Sequence, residues 1–582
     1  MRFRRRTKII CTYGPSVASK EKIKEMVLAG MNVVRFNFSH GDYDYHKKGM
    51  DFVKEVREEL DEPIAILQDT KGPEIRTGVD QIPKILNLET GKSIVLTTTE
   101  GTSSIEKLYV DFPYLAREVE IGTRILIDDG RLCVAVRDKD DTDMTCEIIR
   151  GGEISGKRGI NLPKVHLSLP FLSEKDKRDL AFGVEQGVDF IACSFTRNAD
   201  DIREIRKEIY SHGGFSCDLI AKIENQEGVD SIEEICEVAD GIMIARGDLG
   251  VELRVEEVPL VQKQLISICR KFGKPVITAT QMLESMIVNE RPTRAEVSDV
   301  ANAIYDSTSA IMLSGETASG MFPVECVNLM SQIADQTEKN EFYNKTIVSP
   351  LSDENHESTN AMAGAAYTTA YSLNAQAIVV LTTSGFSARL VSRMRPKMNI
   401  IVPTEDKRVY FKMALYWGVQ PLLFQRESET LGSVFMQVMK IVEDKKILKS
   451  GDQVVQLGGA PVGISGSTNV LRISSVGRVA VRGKRMFGSM VKGQAHIFKK
   501  KKTTPEGRII VMKYLLEEDL SVLSKSIGLI LQSDRGEEMA KVVGTTLGIP
   551  VITRAEGATT VIHEKESIEM DADSGIVFRV TQ

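Results

Sequence analysis

An α/β protein built around a (β/α)8 TIM barrel is the fold class this chain predicts, on three observations. Eight short apolar runs end in polar residues: Lys8–Gly14, Asn32–Ser39, Pro63–Thr70, Phe190–Thr196, Leu219–Asn225, Gly241–Asp248, Pro275–Met282 and Ala310–Thr317. Helical patterns lie between most of them, and strands alternating with helices imply a parallel sheet. The residues that end the runs are Asn37, Ser39, Asp69, Thr70, Ser194, Lys222, Glu224, Asp248, Thr280, Ser314 and Glu316. Eight parallel strands closed into a barrel would gather all of them at its C-terminal mouth, where such barrels carry their chemistry.

The elements follow in order. Residues Ser19 to Ala29 read as an amphipathic helix capped by Ser19, and Ser173-Glu-Lys-Asp opens another with acid in its first turn. Between the third and fourth strands, from Gly72 to Leu167, the chain is too long for a loop and changes character. Short alternating runs such as Ser93–Thr97 and Arg124–Asp128, punctuated by Asp-Gly and Gly-Gly, predict a small antiparallel β-barrel domain inserted at the mouth, able to close as a lid. From about Asn360 a second α/β pattern begins, with runs at Ala377–Thr383, Asn399–Thr404, Val419–Phe424, Gln453–Gly459 and Asn469–Val476. A β-rich unit follows to Gln582. The expected division is a barrel of residues 1–71 and 168–345, an insert of 72–167, an α/β domain of 346–476 and an appended domain of 477–582.

The chain has 582 residues, 42% hydrophobic and 27% charged, with a net charge of -6, which gives no general reason to expect nucleic acid as a partner. Its longest apolar stretches fall short of the roughly 20 residues that a spanning helix needs, so no membrane partner is expected and a cytoplasmic location follows by default. Eight cysteines without a C-x-x-C pair argue against zinc and against a disulfide framework, and read as buried thiols. None of the seven histidines falls in metal-binding helical spacing.

Lys222, Glu224 and Asp248 stand at the ends of two buried runs, where charge is costly unless a ligand completes the site. Alternation puts 222 and 224 on one face of a strand. Hard oxygen ligands beside one cation suit magnesium and a phosphoryl group.

The residues also spell out a family. Lys222-Ile-Glu-Asn225, Arg246-Gly-Asp-Leu-Gly250, Thr278-Ala-Thr-Gln-Met282, Arg291-Pro-Thr-Arg-Ala-Glu296 and Met312-Leu-Ser-Gly-Glu-Thr-Ala318 resemble pyruvate kinase, as do Arg35-Phe-Asn-Phe-Ser-His-Gly41 and Asp69-Thr-Lys-Gly-Pro-Glu-Ile-Arg-Thr-Gly78. The resemblance runs from Lys8 to about Val476. The appended unit is similar to the extra C-terminal domain of certain bacterial members, itself like the mobile phosphohistidine domain of other phosphoenolpyruvate-using enzymes.

The resemblance implies transfer of a phosphoryl group from phosphoenolpyruvate to ADP, giving pyruvate and ATP, the last step of glycolysis. Glu224 and Asp248 would hold Mg2+ (or Mn2+), and Lys222 would lie against the transferring group. Arg35 and Arg76 would add cationic contacts, while Gly247, Asp248 and Thr280 would touch the substrate. Asn37, Ser39, Asp69 and Thr70 resemble a K+ site, and Glu74 stands where potassium-requiring members carry Glu. Asn37, His40, Arg76 and Lys157 would face the nucleotide, although for His40 alone a helix-capping role serves nearly as well. Thr280, Ser314 and Glu316 are candidates to relay a proton to the enolate. Thr382, Thr383, Ser384, Gly385 and Ser387 resemble the site of a phosphorylated allosteric effector, with residues 458–468 as a possible cover. Phe386, where many relatives place Arg or Lys, argues against a bis-phosphorylated one. A homotetramer is carried over from the family.

Three departures stand out. Asp306-Ser-Thr-Ser-Ala310 replaces the usual Asp-Gly-Thr/Ala-Asp-Ala, so Ser307 implies strain if the Gly serves an unusual backbone angle. Lys164 replaces a common Gly at the return from the insert. Glu537-Glu-Met539 stands where relatives of the last domain show Thr-Ser-His, and methionine cannot accept a phosphoryl group. Two rival readings are a sensor of phosphometabolites without turnover and a lyase on a related barrel. Neither needs the whole set of Lys222, Glu224, Asp248, Arg35 and Asp69.

Overall fold

The computed structural model describes residues 5–78, 85–101, 103–104, 106–163, 165, 167–340, 343, 358–464, 466–499 and 506–580. All eight expected strands form, and they close into one parallel barrel: Lys8–Thr12, Val33–Asn37, Ala65–Asp69, Phe190–Cys193, Asp218–Ile223, Gly241–Ala245, Val276–Ala279 and Ala310–Leu313. The first strand pairs with both the second (Ile10↔Val33) and the eighth (Lys8↔Ala310), which shuts the ring. Most barrel positions are fully buried because helices cover the outer face while side chains fill the lumen. Ile10, Leu67, Phe190, Met243, Ile277 and Met312 pack inside it, and Ala414 and Leu415 join that cluster.

The helices start where capping residues allow. Ser19 accepts from the Lys22 N–H, and Ser173 and Thr293 each build a capping box, with Asp176 and Glu296 respectively. The helix Tyr43–Leu60 is capped by Asp42, so His40 does not serve as its cap.

The insert is a seven-stranded sheet that begins with Ile75–Arg76 and returns through Gly159–Asn161, with a separate two-stranded ladder beside it. It is not wholly antiparallel: Ser93–Thr97 and Lys107–Tyr109 run parallel. A single bridge, Thr77↔Val110, joins the two edges of the sheet. Its interior is a core of its own, with Leu96, Leu108, Ile125, Val134, Met144 and Ile148 among its members.

The described residues form two compact units, one within 3–364 and 381–423, the other within 365–380 and 424–582. This division cuts across the α/β domain expected at 346–476. The first unit contains the barrel, the insert and the parallel pair Asn399–Thr404 and Val419–Leu423. In the second, Ala377–Val380 runs parallel to Gln453–Gly459, which pairs antiparallel with Thr468–Ser475. Its last part is an eight-stranded sheet whose centre, from Met490–Ile497 through Arg508–Met512 and Gly528–Leu531 to Val551–Thr553, is parallel. The eight cysteines are free and buried, as their spacing implied. Among the described residues no helix is long and apolar enough to cross a membrane.

Candidate active site

Lys222 leaves the fifth strand near its C-terminal end and is buried. Its ammonium lies 2.9 Å from Glu224 Oε1 and 3.1 Å from Asp69 Oδ1, and donates to Ser194 Oγ at 2.8 Å. Burial alone would favour the neutral amine, but Asp69 and Glu224 outweigh it and hold Lys222 charged well above the ordinary lysine range. Asp69 is buried as well, yet Lys222 and Arg35 hold its carboxyl below the usual value. Arg35 reaches Asp69 Oδ2 through Nε at 2.6 Å and Thr12 Oγ1 through Nη1 at 3.0 Å.

Glu224 Oε2 accepts the Phe195 N–H at 2.6 Å. Phe195 has a φ of 55°, a left-handed angle that a bulky residue adopts only under constraint, just where its amide meets that carboxylate. Asp248 sits in the first turn of the short helix Arg246–Glu252. Burial, then the neighbouring Glu224, pushes its carboxyl up to about 7. The two carboxylates are close enough to repel, and one proton between them would relieve that repulsion. Paired carboxylates held this way fit a magnesium-sized cation, whose remaining ligands come from water and substrate oxygens. Among the described residues no group of three or more His, Cys, Asp or Glu side chains is placed to hold a metal ion.

The other expected residues divide. Arg76, Lys157, Glu224 and Asp248 line one cavity of about 700 Å³ between the insert and the barrel. Arg76 is held there by Glu74 (2.6 Å), and Lys157 lies 3.3 Å from Asp111. Asn37 is level with Asp69 on adjacent strands, but its Oδ1 accepts the Ser39 N–H, and Asp69 is spent on Arg35 and Lys222. Thr70 Oγ1 accepts the Ser194 N–H at 3.1 Å. The residues proposed for K+ therefore lie near one another, and the side-chain oxygens of Asn37, Asp69 and Thr70 are already engaged by protein groups. His40 is exposed, its backbone N–H donating to the Asn37 carbonyl.

Thr280 has a φ of 66° and takes the Gly247 N–H on its hydroxyl at 2.8 Å. Arg246, to which sequence reasoning assigned no role, holds this turn. It donates to the carbonyls of Ala279 (3.3 Å), Thr280 (2.7 Å) and Gln281 (3.3 Å), and pairs with Asp299 at 2.8 Å. Glu316 is buried and accepts the N–H groups of Leu283 (3.0 Å) and Ser314 (2.7 Å), so both its oxygens anchor the eighth-strand turn. Ser194 was visible as a strand-end residue without a task. It bridges Lys222 to the Thr70 carbonyl, to which it donates at 2.6 Å.

Elsewhere, Thr382 Oγ1 accepts the Gly385 N–H at 3.0 Å, and Gly385, with a φ of 83°, starts the helix Phe386–Arg393. Thr383, Ser384 and Ser387 belong to this same turn and helix start. Residues 458–468 lie in the other compact unit, and Ser465 and Lys164 lie outside the described residues. Ser307 has a φ of 74°, the unusual angle that its place in the family pattern implied. In the last domain Glu537 accepts from Lys484 (2.6 Å) and Arg554 (2.8 Å), and Met539 packs on the hydrophobic core.

Comparison with known proteins agrees with this architecture. Residues 4–327 match the family described as pyruvate kinase, barrel domain; residues 360–474 match pyruvate kinase, alpha/beta domain; and residues 504–575 match PEP-utilising enzyme, mobile domain. The chain is 42% identical to a pyruvate kinase of Bacillus licheniformis over 582 residues and 40% identical to one of Geobacillus stearothermophilus over 587. A third, from Sporosarcina psychrophila, is 41% identical over 580, and in all three the match spans 99% of both chains. With two of its domains matched in order and its whole length shared with relatives of that name, the chain is a phosphotransferase that belongs to the pyruvate kinase family.

Proposed function

We propose that this enzyme transfers the phosphoryl group of phosphoenolpyruvate to ADP, giving pyruvate and ATP, at the barrel mouth around Lys222, with Mg2+ and K+ as cofactors. The observation that carries this reading is the buried chain Arg35, Asp69, Lys222, Glu224, with Asp248 beside its end. Phosphoryl transfer needs positioning and charge neutralisation more than covalent help. Lys222 supplies a fixed cation whose charge is secured by two carboxylates, so it is ready to follow negative charge as it moves between donor and acceptor oxygens. Arg35 is anchored through Nε and Nη1, which orients the fork before substrate arrives. Arg76 and Lys157, from the insert, face the same cavity and suit the phosphates of ADP. Glu224 and Asp248 would hold the divalent ion, which neutralises the substrate carboxylate and phosphate when bound. Thr280 and Ser314 end the seventh and eighth strands and bear hydroxyls suited to passing a proton to the enolate carbon.

The test is a coupled assay of pyruvate formed from phosphoenolpyruvate and ADP. Turnover should depend on ADP and fall by at least about 10³-fold in Lys222→Met, on the scale of lost oxyanion-type stabilisation. ADP-independent pyruvate formation would overturn the reading in favour of a lyase.

Potassium dependence is supported by Asn37, Ser39, Asp69 and Thr70 as neighbours, and by Glu74 paired with Arg76. With tetramethylammonium as the sole monovalent cation, activity should collapse; undiminished turnover would sink this part. Regulation by a phosphorylated effector at Thr382, Thr383, Ser384, Gly385 and Ser387 is supported by the turn that leads into the helix Phe386–Arg393. Assembly as a homotetramer in the cytoplasm belongs to the same reading.

A further inference from the structure

Cys236 and Cys269 have no part in the scheme above, yet their sulfurs lie 3.9 Å apart. Cys236 belongs to the helix Ile232–Val238, which follows the fifth strand, and Cys269 to the helix Val258–Lys271, which follows the sixth. Both are fully buried, each on the inward side of its helix. The two side chains therefore converge from neighbouring helices until the sulfurs are in van der Waals contact. A disulfide holds its sulfurs at about 2.05 Å, so an approach of roughly 1.9 Å would join them. Side-chain rotation and a small shift of one helix can supply that distance.

Access comes from a groove of about 840 Å³ lined by both helices. Ile232 and Glu233, one turn before Cys236, form part of its wall, and so does Ile268, next to Cys269. The helix Ile232–Val238 has seven residues, and its N-cap, Ser231, makes no side-chain capping bond. A helix this short gains little from its own hydrogen bonds, so it opens at low cost. While it is closed the pair is quiet. Burial, and then the neighbouring Cys236, pushes the Cys269 thiol well above its ordinary range, and a protonated thiol is a poor nucleophile. Reaction therefore waits for local opening beside the groove.

We propose that Cys236 and Cys269 form a redox-active dithiol, which hydrogen peroxide converts into a reversible disulfide between the helices that follow the fifth and sixth barrel strands. In the first step one sulfur attacks a peroxide oxygen, the O–O bond breaks, and a sulfenic acid and one water result. In the second, the other sulfur attacks the sulfenic sulfur: the S–S bond forms, the S–O bond breaks and a second water leaves with the remaining thiol proton. Two electrons pass from the thiols to the peroxide, and a thiol reductant returns them by exchange. The link joins residues 33 positions apart and so restricts the unfolded chain more than the folded one. It also fixes two helices against the strands whose ends carry Lys222, Glu224 and Asp248.

The experiment treats the folded full-length enzyme with hydrogen peroxide, blocks the remaining thiols with an alkylating agent and maps the unreduced digest by mass spectrometry. A peptide pair joining Cys236 to Cys269 should appear and vanish after dithiothreitol. The oxidised enzyme should melt several degrees higher, and dithiothreitol should reverse the rise. Cys236→Ala and Cys269→Ala should show neither the pair nor the reversible rise, whereas methionine oxidation, which dithiothreitol does not undo, is common to all three proteins. Both thiols recovered alkylated, oxidation to sulfinic acid without the link, a link that forms only in denaturant, or an equal reversible rise in the alanine variants would overturn the proposal. If an alanine variant does not fold, the peptide map of the parent enzyme and its dithiothreitol-reversible melting shift decide.

Discussion

Ser307 and Ser309 show what single residues cost beneath the eighth strand. Ser307 is buried at a φ of 74°, an angle that glycine adopts without penalty and serine does not. Ser309 Oγ accepts from the Val276 N–H (3.2 Å) and from Arg395 Nη2 (3.1 Å), which also donates to the Ser307 carbonyl at 2.7 Å. Arg395 is buried, no carboxylate among the described residues pairs with it, and burial pulls its guanidinium down to about 9. The aspartate usual in the family at position 309 would supply that partner. Ser307→Gly should therefore raise stability by about 1 kcal/mol through relief of strain. Ser309→Asp should raise it by a similar amount by pairing a charge already buried. Thermal melting checks both, and a fall in the Ser307→Gly midpoint would contradict the strain account. Phe195 and Thr280 share the left-handed angle, but theirs lie at the mouth, where each presents a polar group to the site.

At the scale of elements, the base of the barrel is closed by a turn remote in sequence. The 3-10 turn Met413–Leu415 packs Ala414 and Leu415 against the luminal residues of the barrel strands. Just outside, Lys8, at the start of the first strand, donates from Nζ to the Val419 carbonyl at 2.7 Å. Burial, then the nearby Arg5, lowers the Lys8 amine to about 7. The sign follows from linkage. A lysine with a depressed folded pKa binds its proton less tightly folded than unfolded, so from pH 7 to its ordinary 10.5 the fold gains stability as pH rises. Lys8→Met should compare best with the parent enzyme at pH 6, and its relative melting temperature should decline between pH 7 and 10. A constant difference across that range would contradict the assignment.

On the scale of the whole molecule, the last domain is bound into its compact unit by packing and by one arginine. Arg482 donates to Ser475 Oγ from Nε and Nη2, at 3.1 and 3.0 Å, and Nη2 also reaches the Gly451 carbonyl. A Cβ on Gly451 would meet Ile576 and Phe578 at 2.9 and 3.2 Å. None of the residues that surround Lys222 belongs to this unit. A chain ending at Val476 should keep its kcat within about threefold and melt several degrees lower, as loss of an apolar contact surface requires. Loss of turnover at temperatures where the truncated chain stays folded would give the domain a catalytic role instead.

The eight barrel strands were legible in the chain alone, because runs buried on both faces must be almost wholly apolar, and so were the strand-end residues, because those runs stop at Asn37, Asp69, Glu224, Thr280 and Ser314. Helix starts at Ser19 and Ser173 were equally legible, since capping is a local matter of one side chain and the next turn. How the charges are shared became visible in the folded barrel alone. Asp69 and Lys222 meet from the third and fifth strands, Phe195 turns its amide to Glu224, and Arg246 grips three carbonyls of the seventh-strand turn. These contacts depend on the register at which the barrel closes, and register leaves no trace in local composition. The same holds for Glu316, whose strand-end position suggested chemistry while its two oxygens accept the N–H groups of Leu283 and Ser314 and so anchor the turn.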